Sequence, residues 1–567
     1  MYRCFSILVT LTFAAGAFAV AAASAQQPQP QHQHYIGDAP DTPNAAGRIA
    51  PLLKGLGDYH FPVSTKSPEA QRFFDQGFRL TYGFNHREAI RAFKQAYLLD
   101  PDCAMCYWGH ALALGPNINA PMEPSSVQEA YDTIQKAVAL KGKATERERA
   151  YIDAVAARYS SDPGAERTAL DRVYADALRD LVRRFPDDLD AATLYAEALM
   201  DLTPWNYWTK DGRPLTYAPE IVSSLEAVLA RAPSHPGALH FYIHAVEASQ
   251  SPERAEAVAD RLAPLMPAAG HIVHMPSHIY YRVGRYADAI RANELAVAAD
   301  EDYITQCRAQ GIYPLAYYPH NIHFLWAAAT MQGRSALALD AARKVASRVE
   351  PEMVKQFSIL QGFQAVPYFA LVRFARWEEI LREPRPSNDY PFLQAHWHYA
   401  RGRAFAATGK LAEADAELRA LESIAASPRL AEIPATFSSN TPDAVVRIAV
   451  ASLAGEVAAA RKEWENAIAH LHRAVLYDDA LNYIEPPDWD YPPRQSLGAV
   501  LLAARRPAEA EVVYWEDLRR KPGNGWSLFG LLQALKAQGK ADLAAEVRKR
   551  FEKAWANADI ELSASRF

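Results

Sequence analysis

The hydrophobic positions of this chain favour α-helix along most of its length. Half of the 567 residues are hydrophobic, alanine is abundant, and runs of β-branched residues are scarce. Between residues 70 and 103, small and aromatic side chains follow a fixed spacing: Gly77, Ala89, Phe93, Ala96 and finally Pro101. Similar sets recur further along. Because the chain is too long for one compact core, this recurrence predicts an extended repeat array.

The recurring set resembles the tetratricopeptide repeat (TPR). The five residues occupy positions 8, 20, 24, 27 and 32 of a 34-residue unit. In that family, small residues let helices A and B approach closely, and proline ends helix B. Further units begin near residues 104, 189, 236, 270, 319, 395, 448 and 491, and Gly539 and Ala544 fit a final one. The resemblance implies an all-α, right-handed superhelical solenoid of about ten TPR-like helix–turn–helix repeats over most of residues 68–555.

The N-terminus is predicted to be a secretory signal peptide over residues 1–25. Arg3 supplies a positive start, an apolar run follows, and the small residues 23–25 fit a cleavage site. An uncleaved membrane anchor is the alternative. A signal of this bacterial type predicts an exported protein, either periplasmic or secreted.

The remaining chain divides into a linker and two predicted arrays. Residues 26–52 are polar and rich in proline and glutamine, which is typical of a disordered linker. Residues 53–340 are predicted to form an N-terminal TPR-like array with a histidine-rich groove. Residues 341–567 are predicted to form a C-terminal TPR-like array.

Charge and hydropathy restrict the partners. The formal net charge is −6, and loss of Arg3 with the signal gives −6 − 1 = −7. This mild acidity gives no reason to expect nucleic acid or an anionic membrane as partner. No run of about 18 apolar residues follows the signal, so no membrane span is predicted after its removal.

Three cysteines remain after the signal: Cys103, Cys106 and Cys307. In an oxidising compartment, Cys103 and Cys106 are candidates for a disulfide. A c-type haem motif needs histidine directly after the second cysteine, and Tyr107 stands there, so haem attachment is not predicted. Redox activity or binding of a soft metal is the alternative.

Histidines are concentrated in one part of the chain. Eight of the 17 lie between residues 235 and 323. Two pairs have a spacing of four residues, and the second pair follows the first after 34 residues, which is the length of one repeat. Six histidines form three pairs: His240 with His244, His274 with His278, and His320 with His323.

The TPR resemblance places these six histidines, and His271, on the inner wall of the solenoid. They fall at positions 2, 5 and 9 of consecutive A helices, which line the concave surface in that family. Neighbouring helix axes pack about 8–10 Å apart, so these imidazoles can converge. Imidazole suits zinc, copper and iron. The pattern predicts a divalent transition-metal site with the ligands His240, His244, His274, His278, His320 and His323.

Other residues are candidates for the surroundings of the metal. Glu247 is predicted to complete the coordination sphere or to act as a catalytic base. Seven histidines exceed the four ligands of one zinc ion, so either some of them surround the ligands or two metals bind. Pro276 is expected to start a helix near Met275 and to turn His274 away from ideal geometry. Further candidates for supporting the ligands or contacting a substrate are His271, Glu197, Tyr281, Arg282, His110 and Asn321.

Four segments between the predicted helices have two alternative placements each. Residues 115–121, 205–208 and 302–318 either roof the groove or are ordinary surface loops, and segment 486–494 either folds over the groove or joins two units.

The function predicted is an exported TPR protein that binds a transition metal in its groove. A metal-activated water or dioxygen would make it an enzyme. The alternative is a metal-free scaffold that binds a peptide, a protein or a small molecule there.

Overall fold

The computed structural model describes residues 43, 47–162, 164–307, 313–435 and 440–567. The predicted signal peptide, and the predicted linker apart from residues 43 and 47–52, lie outside the described residues. The end of that linker is packed on the first helices. Ile49 and Ala50 are buried, and the Ile49 N–H donates to Gln95 Oε1 at 2.8 Å.

The described residues form α-helices joined by turns and short 3₁₀ or π segments, without a β-strand among them. None of these helices is long and apolar enough to cross a membrane. The α-helices are α1 Pro68–Tyr82, α2 His86–Leu99, α3 Ala104–Ala113, α4 Val127–Ala139, α5 Glu146–Ala157, α6 Arg167–Arg184, α7 Leu189–Asp201, α8 Ala218–Arg231, α9 Pro236–Val246, α10 Glu256–Leu262, α11 Gly270–His274, α12 Pro276–Val283, α13 Tyr286–Cys307, α14 Tyr318–Met331, α15 Ser335–Ser347, α16 Pro351–Gln356, α17 Gln361–Arg373, α18 Trp377–Arg382, α19 Pro391–Ala407, α20 Leu411–Ala425, α21 Pro442–Ala460, α22 Trp464–Ala480, α23 Pro493–Ala503, α24 Pro507–Arg520, α25 Gly525–Ala537 and α26 Ala541–Ala554.

The helices confirm an all-α array of consecutive pairs. Twelve pairs can be traced in the described part of the chain, with α11 and α12 together serving as one A helix. The pairs α5–α6 and α17–α18 are two that the sequence pattern did not identify.

The turn between helices A and B verifies the repeat register. At position 15 of eight units the backbone has positive φ, a conformation that glycine adopts most readily. Glycine occupies four of these turns, whereas larger residues occupy the others. The eight residues are Phe84, Gly284, Gly333, Ala375, Gly409, Lys462, Arg505 and Gly539.

Phe93 illustrates how the small residues bring helices together. Its ring is fully buried, 5.3 Å from the ring of Phe74. A Cβ atom added at Gly77 on α1 or at Gly109 on α3 would collide with that ring. The absence of side chains at both glycines therefore lets α2 pack closely on two neighbouring A helices.

The array is curved, so that repeats far apart in the chain contact each other. Gly237 on α9 contacts the ring of Tyr82 at the end of α1. At the other end, Trp526 Nε1 donates to the Thr330 carbonyl of α14 at 2.9 Å. The inner faces of α9, α11, α12 and α14 are therefore enclosed by the chain itself rather than left as a wide groove.

We expect Phe93→Ala to lower the free energy of unfolding by about 3–5 kcal/mol, because it leaves a cavity between three helices. Leu98→Ala is the matched control on the same helix, since Leu98 is 59% exposed, and it should change stability by less than about 0.5 kcal/mol. Urea denaturation followed by circular dichroism measures both. Equal effects would contradict this packing account.

Candidate functional site

Six imidazoles from four consecutive inner helices form one buried cluster. Three belong to α9 and α11, and three belong to α11, α12 and α14. Five of the side chains are at most 2% exposed, and His320 is partly exposed towards a cavity. The members are His240, His244, His271, His274, His278 and His320.

The first triad contains His240, His244 and His271. One ring nitrogen from each lies within 4.8 Å of the others. The Nε2 atoms of His240 and His271 are 3.1 Å apart. His244 Nε2 is buried and has no hydrogen-bond partner among the described residues. Three nitrogen atoms therefore surround a space large enough for one metal ion.

The second triad contains His274, His278 and His320. Its ligand atoms also lie within 4.8 Å of one another. The Nε2 atoms of His274 and His278 are 2.9 Å apart, and the ring centroid of His320 lies 4.8 Å from that of His274. Phe324 closes one side of this triad, with its ring 4.7 Å from that of His278.

Hydrogen bonds fix the orientation of two of these imidazoles. His240 Nδ1 lies 2.6 Å from the Tyr82 carbonyl oxygen, and His274 Nδ1 lies 2.7 Å from Asn293 Oδ1. Asn293 donates its amide to the Ala289 carbonyl, so its Oδ1 acts as the acceptor. Each Nδ1 therefore carries the proton, and each neutral ring presents an unprotonated Nε2 to the cluster.

Glu247 fixes two more imidazoles and joins the triads. Its Oε1 lies 2.7 Å from His244 Nδ1, and its Oε2 lies 2.6 Å from His278 Nδ1. The Tyr483 hydroxyl donates to Oε2 at 3.0 Å. A carboxylate that accepts these bonds orients the other ring nitrogen of each histidine, as carboxylates commonly do behind metal-bound imidazoles.

Burial sets the protonation of the cluster. It lowers the pKa of His240, His271, His274 and His320 well below the usual value, and neighbouring imidazoles add to this effect. Burial alone would raise the pKa of Glu247, but His278 and His244 outweigh it and lower that pKa. Burial therefore favours the neutral form of His240, His271, His274 and His320, while Glu247 stays ionised.

Pro276 begins a helix next to Met275, as expected, but it does not turn His274 away from His278. Helix α11 ends at His274, Met275 has helical torsion angles, and α12 begins at Pro276. His274 and His278 thus keep their shared face, with ring centroids 4.9 Å apart.

Two aromatic residues with unusual backbone angles cover the first triad. Phe84 has φ 54° and its ring lies 4.5 Å from that of His240. Trp205 has φ 62° and its ring lies 5.2 Å from that of His244. Positive φ costs a bulky residue about 1–2 kcal/mol. Both residues adopt it nonetheless, and their rings shield the imidazoles from water.

Some predicted site residues lie outside the cluster. The His323 ring stacks on Trp326 at 5.3 Å, and its Nε2 is 3.6 Å from an Asp490 oxygen. His110 Nε2 lies 3.2 Å from Glu129 Oε1 on another face. Glu197 belongs to a separate buried charge cluster around Arg158, where burial raises its pKa to about 7.

Three other predicted residues contact side chains or backbone around the cluster. The Tyr281 ring packs against Phe324 at 5.8 Å. Arg282 donates to the Ser249 carbonyl at 2.8 Å, and its Nε lies 4.0 Å from Glu485 Oε1. Asn321 lies inside α14 and donates to Asp300 Oδ2 at 2.6 Å.

The Cys103–Cys106 pair forms the expected disulfide. Both cysteines are fully buried at the start of α3, and Cys307 is a free buried thiol. None of the three belongs to the histidine cluster.

A cavity of about 410 Å³ adjoins both triads. His244 and His271 from the first triad, and His278 and His320 from the second, line one wall. Segments from three predicted roofing regions contribute Asn119, Trp205 and residues 315–317, and the C-terminal segment contributes residues 483–488 and 490. The remaining wall is largely apolar, with Ile359, Phe363, Val366, Phe369, Phe392 and Val445.

Sequence reasoning missed several residues that complete the site. Tyr82, Asn293 and Tyr483 hold imidazoles or Glu247 from helices or segments without a histidine signal. The buried Glu485 faces Glu247 and His278, and burial raises its pKa well above the usual range. Only their position after folding reveals them.

No family model matches the chain, and no curated protein matches it. Three solved structures resemble it at low identity. A human IFIT1 dimer with m7Gppp-AAAA is 13% identical, with TM-score 0.32, covering 85% of this chain and 95% of that chain. The TPR domain of P58(IPK) is 10% identical, with TM-score 0.21 and coverages of 83% and 99%. Naa15/Naa10 bound to HypK-THB is 11% identical, with TM-score 0.23 and coverages of 87% and 90%.

We expect Phe84→Gly to destabilise the protein by about 3 kcal/mol, because the lost burial of the ring exceeds the relieved backbone strain. Arg505→Gly is the matched control. Arg505 is exposed, has φ 61° and occupies the same turn position. This control should change stability by less than about 1 kcal/mol. Thermal unfolding compares them, and equal effects would show that Phe84 serves only the turn.

Proposed function

We propose that this chain is an exported protein that binds a divalent transition metal through its buried histidine cluster. The observation that carries the proposal is the fixed orientation of four imidazoles. The Nδ1 atoms of His240, His244, His274 and His278 face acceptors, so that Nε2 is the metal-binding nitrogen in the neutral form of each ring. Zinc, copper and iron all accept such nitrogen ligands.

The packing of the second triad supports a cation. His274 Nε2 and His278 Nε2 lie 2.9 Å apart, close enough for one metal ion to take both as ligands. A metal ion between them would compensate the desolvation of these buried nitrogens.

The adjoining cavity supports a metal-dependent activity. Each triad supplies three nitrogen ligands, and catalytic zinc sites use three protein ligands with one open position. Two histidines of each triad line the cavity, so a small molecule there can reach a bound ion. Such an ion would polarise that molecule or activate a bound water.

A metal-free scaffold is the second candidate, favoured by the repeat architecture. It would bind a peptide or protein partner along the inner surface of the array. The buried position of the first triad speaks against a role in peptide recognition. Its three imidazoles are at most 2% exposed, and the rings of Phe84 and Trp205 cover His240 and His244.

We expect the protein, purified without a histidine tag and supplied with zinc, copper or iron, to retain near-stoichiometric metal. His244→Ala together with His278→Ala should abolish retention and preserve the helical circular dichroism spectrum, because one ligand of each triad is lost. His470→Ala with His472→Ala on α22 is the control and should retain metal. Elemental analysis decides, and a wild-type protein free of metal would refute the proposal.

Glu247→Gln should weaken metal binding about 10- to 100-fold, the usual loss when a carboxylate behind a metal-bound histidine is removed. The amide keeps the size of the side chain but accepts only one of the two imidazole hydrogen bonds. Glu197→Gln is the matched control, because Glu197 is also buried and lies in another cluster. Competition against a chromophoric chelator measures both affinities, and an unchanged affinity for Glu247→Gln would exclude this orienting role.

A further inference from the structure

We propose that the cluster is a two-ion centre, in which each histidine triad holds its own late first-row transition-metal ion. This inference rests on the proposed metal binding and goes beyond it in number and arrangement. It assigns His240, His244 and His271 to one ion. It assigns His274, His278 and His320 to the other.

The number of ligands exceeds what one ion takes. A tetrahedral ion accepts four ligands, whereas six imidazoles converge here. Within each triad the ligand atoms all lie within 4.8 Å of one another, and among the described residues they separate into these two sets of histidines. Each set contains three nitrogen atoms, the number that leaves one coordination position open.

The helices that carry the histidines explain the separation. His271 and His274 are three residues apart on α11, and their ring centroids are 5.9 Å apart. His271 turns towards His240 on α9, with the Nε2 atoms 3.1 Å apart, while His274 turns towards His278 on α12. The short helix α11 thus contributes one ligand to each ion.

Glu247 connects the two sets without entering either. One carboxylate oxygen faces His244 of the first triad, and the other faces His278 of the second. Their imidazole rings are 5.8 Å apart between centroids. This single negative charge also offsets part of the positive charge that two buried ions would bring into the low-dielectric interior.

The open positions point to the same space. His244 and His271 of one triad and His278 and His320 of the other line the cavity together. A small molecule in the cavity can therefore lie against both triads at once, as a substrate does in two-metal sites. The apolar wall formed by Phe363, Val366 and Phe369 favours a small uncharged molecule there.

One competing arrangement uses the second triad differently. Glu247, His278 and Glu485 also bring ligand atoms within 4.8 Å of one another. An ion there would take His278 through Nδ1, the nitrogen that faces Glu247. The two arrangements differ in whether Glu485 is a ligand, so Glu485→Gln separates them.

The first experiment counts ions on the intact chain. Metal-free, untagged protein is loaded with Cu²⁺ or, separately, with Zn²⁺, dialysed, and analysed for metal and protein. We expect two ions per chain. One ion per chain overturns the two-ion centre and leaves the proposed metal binding intact, whereas no retained ion overturns both.

The second experiment assigns each ion to its triad. His240→Gln should retain one ion, and His320→Gln should also retain one, because each change removes a ligand from one set. His323→Gln is the matched control on α14 and should retain two. Loss of both ions in either single variant, with the helical spectrum preserved, indicates one shared centre. Loss of an ion in Glu485→Gln assigns that ion to the acidic set. Either result overturns the proposal.

A third measurement compares the copper-loaded wild-type protein with the variants that retain one ion. Two neighbouring Cu²⁺ ions interact through their magnetic dipoles, so the electron paramagnetic resonance spectrum of the two-copper protein should be broader than that of the one-copper variants. A two-copper spectrum without this broadening would overturn the paired arrangement.

Discussion

The buried carboxylate of Glu247 is the contact on which the rest of this site depends. It lies in the interior at full burial, where an unpaired charge would be strongly destabilising. Its two oxygens accept from His244 on α9 and His278 on α12, and Tyr483 adds a third hydrogen bond from the C-terminal half. One side chain thereby fixes two imidazoles, joins two neighbouring repeats and anchors the segment that covers them.

The repeat architecture makes this convergence possible. Consecutive A helices present the same positions to the inside, so a spacing of one repeat becomes a spacing of one helix in space. The curvature of the array then brings the end of α1 against α9, where the Tyr82 carbonyl holds His240. In an open groove these rings would be hydrated, and the low pKa of the neutral histidines depends on their enclosure.

The sequence predicted the helical array and most of the cluster, because both follow from spacing. Five of the six clustered histidines were predicted as ligands, and His271 was predicted only as a supporting residue. His323 was predicted as a ligand by its position in the repeat. It lies three residues beyond His320, about 4.5 Å further along α14, where Trp326 and Asp490 engage it instead.

The rest of the site depends on contacts between residues far apart in the chain. Tyr483 reaches Glu247 across 236 positions, and no local pattern specifies which loop covers which helix. The spacing of residues also could not show that the chain stays helical from α11 to α12, because proline can either start a helix or kink one. The predicted groove is narrowed to a cavity for the same reason, because remote segments such as residues 483–488 contribute to its wall.

X-ray absorption spectroscopy of the copper-loaded, untagged protein tests the central claim most directly, because it identifies the ligand atoms of the bound ion. We predict about three imidazole nitrogens per copper at roughly 2.0 Å, with the outer-shell scattering of the imidazole rings. A spectrum dominated by oxygen ligands, without that ring scattering, would show that the buried histidine cluster is not the metal site.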